Sequence, residues 1–102
     1  MKNIVKGRGK IKYHTFKGVR WVGVGLVFAD KESARDARST LGDDWEPAGE
    51  QQNGLLWYGI ATSLKDVLDE LAPYGKPIAN GQHFDVTIPV VPGEQESFEF
   101  AK

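Results

Sequence analysis

Two stretches of the chain switch faces at every residue. Val22, Val24, Leu26 and Phe28 interleave with Trp21, Gly23, Gly25 and Val27, and Phe84, Val86, Ile88 and Val90 interleave with Asp85, Thr87 and Pro89. A period of two sends successive side chains to opposite sides of a pleated strand, so each stretch predicts a strand with one buried face. A different period governs residues 63–75. There Leu64, Val67, Leu68 and Leu71 recur at the spacing of one helical face, Ser63 and Asp66 make a capping-box-like start, and Gly75 after Pro73 supplies a stop. A second helix is expected over KESARDARSTL, with Asp30 as its cap, a narrow stripe of Ala34, Ala37 and Leu41, and Gly42 at its end.

Between the helices, residues 45–51 and 55–61 flank Gln52-Asn53-Gly54, and an Asn-Gly pair between apolar runs is a strong hairpin signal. A further strand over residues 11–16 turns at Lys17-Gly18. The order β-α-β-β-α-β predicts an α+β fold, a ferredoxin-like two-layer sandwich with an extra N-terminal β-strand. The chain reads as one domain, residues 1–102, with a basic N-terminal segment over 1–17 and an acidic tail over 94–102 that is either loose or forms a short edge strand through Ser97-Phe-Glu-Phe.

In such a sandwich both helices cover one sheet face. Val22, Val24, Leu26, Phe28, Phe84, Val86 and Ile88 are expected to meet them, with Leu56, Tyr58 and Ile60 alongside. The opposite, open face is then expected to carry Trp21, Gly23, Gly25 and Val27 together with Leu55, Trp57, Gly59, Asp85 and Thr87. Two tryptophans beside glycines make a flat, partly apolar patch of the kind that has a partner. On this reading Trp21, Gly23, Gly25, Val27, Leu55 and Trp57 are the interaction residues.

Charge changes the picture more than composition does. The 102 residues are 40% hydrophobic and 26% charged, ordinary for a small globular domain, and the net charge is −1. The first 20 residues, however, hold Lys2, Lys6, Arg8, Lys10, Lys12, Lys17 and Arg20 and no acid, whereas the rest holds six basic and fourteen acidic side chains. One account is an edge strand whose lysines repel other strand edges and which lies on acidic surface. The other is a nucleic-acid arm, with Lys6, Arg8, Lys10, Lys12, Tyr13 and Phe16 as its binding residues.

Catalytic signals are thin. The chain has no cysteine, which removes disulfides and thiolate metal sites. His14 and His83 have no ligand spacing, so no metal is expected. Gly23-Val-Gly25 lacks the third glycine of a dinucleotide fingerprint and lies within a strand, and no serine sits in a nucleophile-elbow context. The acids Asp43, Asp44 and Glu46, and Asp66, Asp69 and Glu70, read as solvated faces. The segment NGLLWYGI resembles the aromatic strand of RNA-recognition domains at Gly54 and Trp57 and departs from it at Leu55, where an aromatic is expected. No likeness is close enough to transfer a site.

With no membrane-length apolar run, a cytoplasmic protein is expected. The leading expectation is a non-enzymatic protein-interaction module, an inhibitor or accessory factor, that forms a homo-oligomer through the open sheet face and meets an unidentified protein partner, without cofactor. The first alternative is a single-stranded nucleic-acid binder that uses the basic segment with Trp21, Trp57, Tyr13 or Phe16 as stacking platforms. The second is a dimeric small-ligand-binding α+β barrel enclosing Trp21, Trp57 and the glycines.

Overall fold

A computed structural model describes residues 4–78 and 81–90; the expected acidic tail, residues 94–102, lies outside them. Among the described residues five strands, β1 (Ile4–Phe16), β2 (Val19–Phe28), β3 (Glu46–Ala48), β4 (Gly54–Ile60) and β5 (Phe84–Pro89), form one antiparallel sheet. Two helices, α1 (Lys31–Leu41) and α2 (Leu64–Leu71), complete a two-layer α+β sandwich. No helix among the described residues is long and apolar enough to cross a membrane.

The strand order is β3-β4-β2-β1-β5. In a ferredoxin-like order the strands equivalent to β2 and β5 are neighbours; here β1 stands between them, antiparallel to both. That insertion reverses β5 with respect to β4. It also makes the basic segment an interior strand, not the edge strand or arm expected from its charge. The hairpin that carries it turns where the sequence allows it, since Lys17 and Gly18 both take positive φ, 52° and 78°.

The parity of β1 sorts its side chains between the two faces of the sheet. Val5 and Ile11 are buried with Gly9 between them, while Lys6, Arg8 and Lys12 on the alternate positions are exposed. The glycines on the buried side are required by packing. A Cβ on Gly9 would lie 2.4 Å from the Phe84 ring and one on Gly7 would lie 2.6 Å from the Phe28 ring, so these two positions let aromatic side chains of the neighbouring strands lie across β1.

The core is the layer between sheet and helices. Val22, Val24, Leu26, Phe28, Val86 and Ile88 meet Ala34 and Ala37 of α1 and Leu64, Val67 and Leu71 of α2. Asp30 caps α1 as expected, accepting a hydrogen bond from the Ser33 amide at 2.8 Å. Thr40 ties the other end of that helix to β5 by donating to the Pro89 carbonyl at 2.7 Å. The capping box expected at Ser63 does not form. A 3-10 turn, Ala61–Ser63, leads into α2 and already holds Ser63 at φ −89°, ψ −1°, away from the extended conformation that a side-chain cap requires. Gly75 follows a second 3-10 turn, Ala72–Tyr74, and is in extended backbone. Its value there is close approach, because a Cβ would sit 2.4 Å from the Asp85 carbonyl oxygen.

If β1 is a core strand, truncating its fully buried Ile11 to alanine should cost about 2–5 kcal/mol, the range for large-to-small changes in cores, measured by urea unfolding. A loss below about 1 kcal/mol would show β1 to be a detachable arm.

Candidate functional site

The helix-free face is organised in rows across three strands, set by the register. Antiparallel partners directly opposite one another share a face. Along β1, β2 and β4 the rows are His14, Trp21 and Ile60; Lys12, Gly23 and Tyr58; Lys10, Gly25 and Leu56; and Arg8, Val27 and Gly54. Lys6 extends the β1 series opposite Thr87 of β5. The face is thus cationic along β1, floored by glycine on β2 and apolar or aromatic along β4. A concavity of about 600 Å³ runs over it, lined by Lys10, Lys12, Gly23, Gly25, Leu56 and Tyr58, among others.

At one end the rings form a continuous wall. Tyr58 stacks on Trp21 with centroids 5.6 Å apart and planes 4° from parallel, and on His14 at 5.3 Å and 22°. The Tyr58 hydroxyl is hydrogen-bonded to the His14 imidazole, so the ring bridges from β4 across β2 to β1. The Tyr58 ring lies beside Gly23, where a Cβ would meet it in ordinary van der Waals contact at 3.5 Å.

The expected residues divide by face. Trp21, Gly23, Gly25 and Val27 are brought together on the open face as expected, and Lys6, Arg8, Lys10 and Lys12 join them. Leu55 and Trp57 do not. Leu55 is 1% exposed and Trp57 packs against the core, while Leu56, Tyr58 and Ile60, expected inside, are 42%, 51% and 42% exposed. The cause is a one-residue shift in β4. Asn53 clamps the end of β2: its carbonyl accepts from the Phe28 amide at 2.8 Å and its side-chain amide donates to the Phe28 carbonyl at 3.0 Å. That sets Leu55 opposite Leu26. Asn53 and Gly54 therefore do not form the tight turn; the loop lies over residues 49–53, with Gly49 and Gln52 at positive φ.

Tyr13 also falls outside the trough, because its odd position on β1 sends it to the helix side, where the Arg20 guanidinium lies 4.4 Å from its ring centroid. Phe16, 59% exposed, is at the tip of the β1–β2 hairpin with the Lys17 ammonium 5.4 Å from its ring centroid. His14 and Tyr58 were not expected in a site. His14 was findable, since it continues the series Lys6, Arg8, Lys10, Lys12 at period two. Tyr58 was not, because LLWY is apolar at every position and hides its own parity.

Among the described residues the carboxylate within 4.0 Å of the β1 cations is Asp85, 3.9 Å from Arg8 in a pair that is largely solvated, an arrangement that neutralises little. The helices carry both signs, with Lys31, Arg35, Arg38 and Lys65 beside Glu32, Asp36, Asp66, Asp69 and Glu70. On α2 the Lys65 ammonium donates to Asp69 at 3.0 Å, which raises its pKa above the ordinary lysine value. Among the described residues no group of three His, Cys, Asp or Glu side chains could hold a metal ion.

The chain matches no protein-family model, no curated protein and no solved structure.

The face assignment makes neighbouring aromatics behave differently. Trp57→Ala should cost roughly 3 kcal/mol, near the lower end of core tryptophan truncations, whereas Tyr58→Ala should cost about 1 kcal/mol, the worth of its ring stacking. Urea unfolding of the two variants measures both; the reverse ranking would restore the other register of β4.

Proposed function

We propose that this protein binds single-stranded nucleic acid along its helix-free sheet face. The observation that carries the reading is the asymmetry of the trough, with Lys6, Arg8, Lys10 and Lys12 along β1 on one side and Leu56 and Tyr58 along β4 on the other. A single strand has the same asymmetry, phosphates along one edge and unstacked bases along the other. Spacing agrees as well. Alternate residues of an extended strand are about 7 Å apart, so the four cations span about 20 Å, a repeat close to that of successive phosphates in an extended chain. A duplex offers no free base faces to the apolar wall.

Self-association through the same face would bury the four β1 cations of each copy, and among the described residues the carboxylate within 4.0 Å of them is Asp85. An ion taken out of water without a partner costs several kcal/mol, and each copy brings four cations. An interaction module acting as an inhibitor or accessory factor fits this face better with an acidic partner than with a second copy. Within the proposal, the ferredoxin-like relation is confined to β2–α1–β3–β4, where β4 lies between β2 and β3. The inserted β1 supplies the charge.

Binding of a fluorescein-labelled dT12 should weaken with salt at a log-log slope of about −3, from four phosphates at about 0.7 each on a single strand. Affinity should then fall roughly 50-fold between 50 and 200 mM salt. Replacing Lys6, Arg8, Lys10 and Lys12 together by Gln should abolish most of the slope and leave the melting temperature within a few degrees, since exposed charges contribute little to stability. Fluorescence anisotropy reads the first and thermal melting the second. Salt-independent binding, or unchanged affinity in the quadruple variant, would overturn the proposal.

A further inference from the structure

Most glycines of the sheet are explained by what touches them. A Cβ on Gly7, Gly9 or Gly59 would strike the ring of Phe28, Phe84 or Trp57 at 2.4 to 2.9 Å, and one on Gly54 would meet the Leu26 carbonyl oxygen at 3.0 Å. Gly23 and Gly25 differ. Neither has a positive φ. Among the described residues nothing lies within 4 Å of a Cβ built on Gly25, and on Gly23 the nearest atom is in ordinary contact at 3.5 Å. Glycine inside a strand weakens it and gives up a side chain that could pack. A Cβ on Gly25 would meet open space, so packing does not require glycine there, and valine is among the best strand formers. What the absent side chain leaves is depth, in the centre of the trough.

We propose that Gly25 is the floor of a nucleobase subsite. The base lies on the bare backbone of β2, between the aliphatic stem of Lys10 on one side and Leu56 on the other, which are its direct cross-strand neighbours. Its ends are set by Val27, 57% exposed, and by the Tyr58 ring where it covers Gly23. Each of these stops is two residues from Gly25, about 7 Å along the strand, so the two are about 14 Å apart and leave room for one base lying flat. The adjoining phosphate falls to Lys10 and Lys12, whose three-donor ammonium groups sit on the same side. Every base has a π-face to lay on this floor, so the subsite recognises that a base is present more than which base it is. This rests on the single-strand reading above and adds to it the place of the base.

Two comparisons test the subsite separately from that reading. In the first, the wild-type protein is titrated with dT12 and with an abasic 12-mer that has the same phosphates; dT12 should bind at least tenfold tighter. In the second, Gly25→Val and Gly25→Ala are titrated with both probes and melted. Both variants should melt at or above the wild-type temperature. Gly25→Val should lose at least tenfold in dT12 affinity, Gly25→Ala less, and neither should change binding of the abasic strand. Equal wild-type affinity for the two probes, or full dT12 affinity in Gly25→Val, overturns the subsite while a steep salt slope leaves the electrostatic reading standing. Destabilisation of both variants also overturns it, because the glycine would then belong to the fold. Failure of the wild type to bind either probe at low salt removes both proposals.

Discussion

Everything distinctive about this molecule depends on the double pairing of β1. The strand hydrogen-bonds along one edge to β2 over residues 7–16 and along the other to β5 over residues 4–9, so its backbone is committed before its side chains are considered. Period two then divides its residues between two environments. Val5, Gly9 and Ile11 enter the core, and Lys6, Arg8, Lys10 and Lys12 are delivered to the open face in a line. Lys6 is held by pairing with β5, Arg8 by both neighbours, and Lys10 and Lys12 by pairing with β2. The cations are therefore fixed relative to the glycines of β2 and, through β2, to the aromatic wall on β4.

The same constraint explains why glycine occurs on both faces of the sheet for opposite reasons. On the helix side, Gly7 and Gly9 are vacated so that Phe28 and Phe84 can cross β1 and close the core. On the open side a Cβ on Gly23 would meet the Tyr58 ring in ordinary contact at 3.5 Å, and one on Gly25 would meet nothing within 4 Å among the described residues. Position on a face, rather than residue type, separates a glycine that the fold consumes from one that leaves room.

The parts of this architecture that a sequence displays are those with an unambiguous period or a local partner. The alternation of β2 and β5 fixes their buried faces, and Asp30 needs only the amide of Ser33, three residues away, to cap α1. What escapes the sequence is set by distant pairing. Nothing in residues 1–17 tells that the far edge of β1 meets Phe84 and Val86 instead of solvent, so a basic strand reads as an edge. In β4 the run Leu55, Leu56, Trp57, Tyr58 has no polar residue to mark a side, and its parity comes from Asn53 gripping Phe28, 25 residues earlier in the chain. Ser63 looked like a cap because its spacing to Asp66 is right, yet the preceding 3-10 turn had already placed it in helical backbone. The candidate site was half legible for the same reason: β2 and the cations of β1 could be read, and the wall opposite them could not.

The most direct measurement of the central claim is an amide chemical-shift titration of the ¹⁵N-labelled protein with a short single-stranded oligonucleotide. The account predicts that the largest changes fall on Lys10, Lys12, Gly23, Gly25, Leu56 and Tyr58, with the amides of α1 and α2 unmoved. Changes concentrated on the helices or on the hairpin tip at Phe16 to Gly18, with the three central strands silent, would contradict it.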